Sequence, residues 1–230
     1  MGEKKTKQLA PRFFVYVFGL LMMAFGIVLL IKGDLGATPW DVLHIGLFYQ
    51  LGLTIGSWSI IVGFFILTAA SLMTKKFPQF GAFLNMILVG FFIDMYLMIP
   101  FLTTPDTLAG KIAMFLFGII FSGYGMGFYI SAGFGAGPRD SLMIAVMSKT
   151  GWKVGNVRAG MEVIVLLIGW KLGGPVFWGT VLFSLLIGPV SGLALPQTQR
   201  LTDIWLNGLK KKKKLNILHA GEETKRGAEA

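Results

Sequence analysis

An all-α polytopic membrane fold is predicted: six transmembrane helices arranged as two inverted three-helix repeats, each with one further short helix that does not cross. Three observations lead there. Hydrophobic side chains make up 54% of the 230 residues and the mean hydropathy is +0.70, above the roughly 45–50% apolar content of soluble domains. Apolar stretches long enough to cross a bilayer recur along the chain. The sequence also matches itself at an offset of 99 residues.

A hydrocarbon core of about 30 Å takes roughly 20 residues of helix. Six segments meet that length, at residues 13–31, 56–74, 81–99, 112–131, 156–173 and 178–195. The first begins behind a basic start that could open a signal peptide. Its apolar run exceeds the about 7–15 residues of such a segment and no Ala-x-Ala-like cleavage site follows, so it is read as a retained span. Residues 1–12 become a cytoplasmic N-terminus, 13–99 the first repeat, 112–196 the second, and 200–230 a basic cytoplasmic tail. Met1-Gly2-Glu3-Lys4-Lys5-Thr6 fits the loose myristoylation pattern, but a lipid chain adds little to a chain that already spans the bilayer. Pro39–Leu51 and Pro138–Thr150 read as helices too short to cross, lying at the interface or dipping in and returning.

Cytoplasmic loops are enriched in Lys and Arg. With the N-terminus inside, 18 of the 21 basic residues fall on the inner side, and only Lys32, Lys111 and Lys171 fall outside. Both termini are then cytoplasmic. The net charge of +10 is explained by topology, and nucleic acid is not an expected partner. The absence of Cys excludes disulfides, thiolate metal sites and cysteine nucleophiles.

The internal match runs ungapped from Phe18–Gly56 onto Phe117–Gly155. Gly19 meets Gly118, Gly26 meets Gly125, and Gly36-Ala37-x-Pro39-x-Asp41 meets Gly135-Ala136-x-Pro138-x-Asp140. After a one-residue slip Gly81 meets Gly179 and Gly90 meets Gly188. Three spans per copy is an odd number, so the second copy enters the membrane from the opposite side. Inverted repeats with short or broken helices recur in transporters, whose sites lie where half-helix N-termini meet.

Each residue of the repeated motif has a local task. Gly36 and Gly135 permit positive φ, Thr38 caps a helix, Pro39 and Pro138 suit its first turn, and Asp41 and Asp140 sit where the helix dipole favours a carboxylate. The alternative reading is a shared site, with both helix starts aiming N–H groups at one cavity. Asp41 and Asp140 then serve as ligands, proton carriers or gates, Arg139 pairs with a carboxylate or an anionic solute, and Thr38 lines the cavity. His44, three residues after Asp41, shares its helix face and would permit a proton relay. Glu162 lies inside the fifth span, four residues after Arg158, so a structural pair and a functional site both fit. Asp94 is close enough to the outer end of the third span to reach headgroup water. Glycines in the first and fourth spans predict close crossing of these two helices, and the methionines and phenylalanines read as apolar filling.

Beyond Pro196, Leu201, Ile204, Trp205 and Leu209 share a helical face ahead of Lys210–Lys214. A basic helix on the inner leaflet is expected, each cation near anionic lipid contributing about 1 kcal/mol. Residues from Gly221 onward are expected to be unstructured.

The Gly36–Asp41 stretch, together with Gly179-Thr180-Val181-Leu182-Phe183 and Ile187-Gly188-Pro189, resembles the YczE-like group of bacterial integral membrane proteins, related to the YitT and YyaS families. The resemblance covers about Phe13 to Pro196. It implies the bacterial plasma membrane and supplies neither a reaction nor a substrate.

The function class that fits first is a small-solute transporter or permease-like subunit, with the lipid bilayer and a small molecule as partners. A substrate-binding component is the alternative. It would need a partner ATPase, since no Gly-x-x-x-x-Gly-Lys-Ser/Thr loop is present. A third is a non-catalytic scaffold or regulator of a neighbouring pathway, alone, as a homo-oligomer or with a partner subunit. An enzyme is not expected, because the chain offers no metal-ligand cluster and no nucleophile with a positioned base, and no cofactor is implied.

Overall fold

The computed structural model describes residues 8–228, and side chains from 8 to 208. Eight helices follow one another, with no strand among the described residues: α1 Leu9–Gly33, α2 Pro39–Leu51, α3 Ile55–Thr74, α4 Phe80–Leu97, α5 Leu108–Ala132, α6 Pro138–Thr150, α7 Val154–Lys171 and α8 Trp178–Ala228. Five of them, α1, α3, α4, α5 and α8, are long and apolar enough to cross a membrane. The remaining expected span, the fifth at residues 156–173, forms α7, which has 18 residues but includes Arg158, Glu162 and Lys171.

Helices α1 and α5 are the axis of the molecule and make its most extensive contact. They run antiparallel, since Gly19 lies against Gly125 and Gly26 against Gly118. A β-carbon at Gly26 would sit 2.7 Å from the Gly118 carbonyl oxygen, and one at Gly125 would sit 2.7 Å from that of Gly19. Only glycine permits backbones this close, and dispersion between them replaces the hydrophobic drive that lipid cannot supply. The crossing expected from the glycine pattern is therefore present. Around it Tyr16, Leu20, Ala24, Val28 and Ile93 are almost wholly buried, while Phe14, Phe65, Phe91 and Leu185 face outward, as suits a lipid-facing surface.

Helices α4 and α8 flank this axis, α4 on α1 and α8 on α5. The start of α4 packs through Gly81 on Phe134, and the start of α8 packs through Gly179 on Leu35. The Gly179 N–H donates to the Leu35 carbonyl at 2.9 Å, and the Tyr16 hydroxyl donates to the Gly81 carbonyl at 2.6 Å. Tyr16→Phe leaves that carbonyl short of a partner in a dry interior. A loss of about 1–2 kcal/mol is expected, read as a lower unfolding midpoint in detergent; an unchanged midpoint would show the bond to be idle.

The tail departs from expectation. Neither Pro189 nor Pro196 ends α8, which runs 51 residues to Ala228. Neighbouring helices can re-satisfy backbone groups freed by a membrane proline, and the lysine-rich stretch beyond is good helix-forming sequence. Residues 221–228 are thus helical where an unstructured end was expected. The myristoylation pattern at Met1–Thr6 lies outside the described residues, as do the side chains of Lys210–Lys214.

Candidate functional site

The two repeated motifs build the same local structure. Gly36 and Gly135 have φ of +113° and +127°, a region that only glycine visits cheaply. Thr38 caps α2: its Oγ1 accepts from the Asp41 N–H at 3.2 Å and donates to Asp41 Oδ2 at 2.5 Å. Gly137 occupies the same place before α6 and offers no side-chain cap. The capping expectation holds for both prolines and for Thr38.

What the motif does beyond capping differs between the copies. Asp41 is fully buried and bends back onto its own cap, so Pro39 and Trp40 face the cavity in its place. Its Oδ1 lies 3.5 Å from His44 Nδ1, longer than a good hydrogen bond, and 3.9 Å from Arg139 Nη2. Burial pushes the Asp41 carboxyl up, but His44, Arg139 and Thr38 together outweigh this and hold it below its ordinary range. Burial lowers His44 in turn, against the pull of Asp41. Asp140 instead lines the cavity, and the Tyr129 hydroxyl donates to its Oδ2 at 2.9 Å.

Two adjoining cavities of about 90 Å³ each share Met23, Ile27, Met126, Trp40, Arg139 and Asp140 as wall. Arg139 lies with its guanidinium carbon 4.9 Å from the centre of the Trp40 ring, an attractive cation–π arrangement. These two residues occupy the same position in the repeated motif. The first cavity reaches between α7 and α8, to Arg158, Glu162, Phe183 and Ile187. The second reaches between α3 and α4, to Ser59, Gly63, Asn85 and Val89. The 99-residue offset carries Ser59 onto Arg158, Val62 onto Met161 and Gly63 onto Glu162, so the two spaces have matching walls of different chemistry.

Arg158 Nε donates to Glu162 Oε1 at 3.0 Å, the expected pair along α7, and both side chains also face the first cavity. Asp94, near the C-terminal end of α4, does not stand free. It accepts from the Gly56 N–H at 2.8 Å and from Thr54 Oγ1 at 2.5 Å, which ties α4 to the start of α3.

Sequence reasoning missed several wall residues. Met23, Met126, Met143 and Met161 read as filling, yet all four line the first cavity. Asn85 and Tyr129 drew no attention. The offset held one clue, because Met143 stands where His44 stands in the first copy.

A bundle of long apolar helices around two short ones, enclosing charged side chains, defines a polytopic helical membrane protein. The chain belongs to a family of unknown function, DUF6198, whose model matches residues 10–196. It is 46% identical over 196 residues to the uncharacterized membrane protein YczE of Bacillus subtilis (strain 168), covering 85% of this chain and 90% of that one. An uncharacterized protein of Haemophilus influenzae is 35% identical over 193 residues, covering 83% of this chain and 86% of the other. The uncharacterized protein YyaS of B. subtilis is 27% identical over 190 residues, covering 82% of this chain and 94% of its own length. No solved structure matches the chain.

Proposed function

We propose that the chain is a small-solute transporter or permease-like subunit of the bacterial plasma membrane, non-enzymatic, with six spans in two inverted repeats and both termini cytoplasmic. Its solute site is the space between the starts of α2 and α6, which re-enter the bilayer. The observation that carries this is the pair of cavities with matching walls on either side of Trp40 and Arg139. The antiparallel α1–α5 crossing and the exchanged contacts of Gly81 with Phe134 and Gly179 with Leu35 support the inversion.

The two halves also differ in a way that suits alternating access. Helices α3 and α4 pack closely, with Gly56 against Gly90 and Asp94 bridging them. The equivalent glycines of α7 and α8, Gly155 and Gly188, have open space where a β-carbon would go, and α7 makes no comparable contact with α8. In this reading the α3–α4 side is shut and the α7–α8 side is open, and transport exchanges the two.

Single cysteines at Met161 and Val62 test this in a chain that has none of its own. Membrane-impermeant maleimide should reach Met161→Cys from the cytoplasmic side, and Val62→Cys only from outside and more slowly. Labelling of both from one side would sink the inverted arrangement. Labelling of neither, with the protein folded, would sink the open α7–α8 path.

A further inference from the structure

Two charged groups on the cavity wall keep spare hydrogen-bonding capacity. The Arg139 guanidinium makes no hydrogen bond among the described residues. Its one acid neighbour within ion-pair distance, Asp41, stands 3.9 Å away, and its side chain is 38% exposed, towards the cavities it lines. Asp140 has the Tyr129 hydroxyl as its hydrogen-bond partner and forms no ion pair among the described residues, not even with the adjoining Arg139. An unmatched charge in a low-dielectric interior is costly, and in a membrane protein such residues mark the path of a ligand.

A third group points into the same space. Asn85 is 6% exposed, its Nδ2 has no acceptor, and it lines the second cavity beside Gly137. A β-carbon at Gly137 would come within 3.1 Å of Asn85 Oδ1, so this amide lies against the uncapped start of α6. The guanidinium fork, the idle Asn85 N–H and the first-turn N–H groups of α6 are all donors and suit a carboxylate. Asp140, as an acceptor, suits an ammonium.

Charge accounting selects between ligands. Asp41 offsets Arg139, and Glu162 offsets Arg158, which leaves Asp140 as the unbalanced charge on the wall. A lone anion would deepen that imbalance, and a lone cation would leave the Arg139 guanidinium and the Asn85 amide N–H without a hydrogen-bond acceptor. A ligand carrying both charges a few ångströms apart satisfies all three groups. Much of the rest of the wall is apolar, from Met23, Ile27, Met126, Val62, Met86 and Val89, with Thr38, Ser122, His44 and Ser59 among its polar groups, and the space is small.

We propose that the site takes a small zwitterion, an α-amino acid with an apolar side chain, its carboxylate on Arg139 and Asn85 and its ammonium on Asp140. This rests on the reading of the central cavity as the solute site. The test uses the full-length protein in detergent, titrated with L-leucine, with 4-methylpentanoate, which lacks the amine, and with 3-methylbutylamine, which lacks the carboxylate. Leucine should raise the melting temperature, with each analogue at least tenfold weaker. In Arg139→Gln the advantage of leucine over the amine should vanish, and in Asp140→Asn its advantage over the acid. Either analogue matching leucine on the unmodified protein, or no response to any of the three, overturns the assignment without relying on a variant. Binding of a neutral solute such as glucose or uridine in place of leucine would reject the zwitterion while keeping the solute site. Leucine binding without uptake into proteoliposomes would reject transport while keeping the zwitterion.

Discussion

Gly26→Ala unfolds at a markedly lower temperature than the unmodified protein, an expected loss of about 3 kcal/mol, at the upper end for overpacking. The added methyl would sit 2.5 Å from the Ser122 backbone nitrogen and 2.7 Å from the Gly118 carbonyl oxygen. These are main-chain atoms of α5, so a rotamer change cannot relieve the clash. The helices must separate and forfeit the dispersion along the whole crossing. Gly155→Ala is the control: open space surrounds that position, and alanine there should be neutral or stabilising by up to about 1 kcal/mol through helix propensity. Melting curves in one detergent compare the two. Equal midpoints for Gly26→Ala and the unmodified chain would mean the α1–α5 contact does not hold the fold together.

Asp41→Ala is the second large effect. It removes the partner of Thr38 Oγ1 and the acid nearest both Arg139 and His44. Breaking a buried pair typically costs about 3–5 kcal/mol. Arg139 keeps some exposure to the cavity, so about 2–3 kcal/mol is expected after that screening. Asp41→Asn keeps an acceptor for Thr38 and loses the same charge, so it should keep most of that loss and recover only the hydrogen bond, about 1 kcal/mol. If the two substitutions cost the same, the contribution lies in charge alone and the cap is incidental.

Legibility followed the range of the interaction. The Gly36–Asp41 turn and its cap depend on neighbours within five residues, and each residue type announced its task. The crossing of α1 and α5 spans about a hundred residues, yet it was legible because the duplication repeated Gly19 and Gly26 at Gly118 and Gly125. The cavity wall was not. Met23, Met126, Asn85 and Tyr129 are ordinary span residues until the crossing brings them together, and nothing local distinguishes a methionine facing a void from one facing lipid. The inward turn of Asp41 was hidden for a related reason, since its neighbour Thr38 can be read equally as a cap or as a cavity residue. The extent of α8 escaped because proline is a helix breaker in water and a tolerated residue where neighbours supply the missing bonds.

The pairing of α1 with α5 imposes an order in time. At a synthesis rate of about 5–20 residues per second, the glycine face of α1 waits several seconds in the bilayer before its partner is made. During that wait its grooves meet only lipid or a borrowed helix. The first half of the chain is therefore not a unit of assembly, since the largest contact in the molecule closes only when α5 arrives.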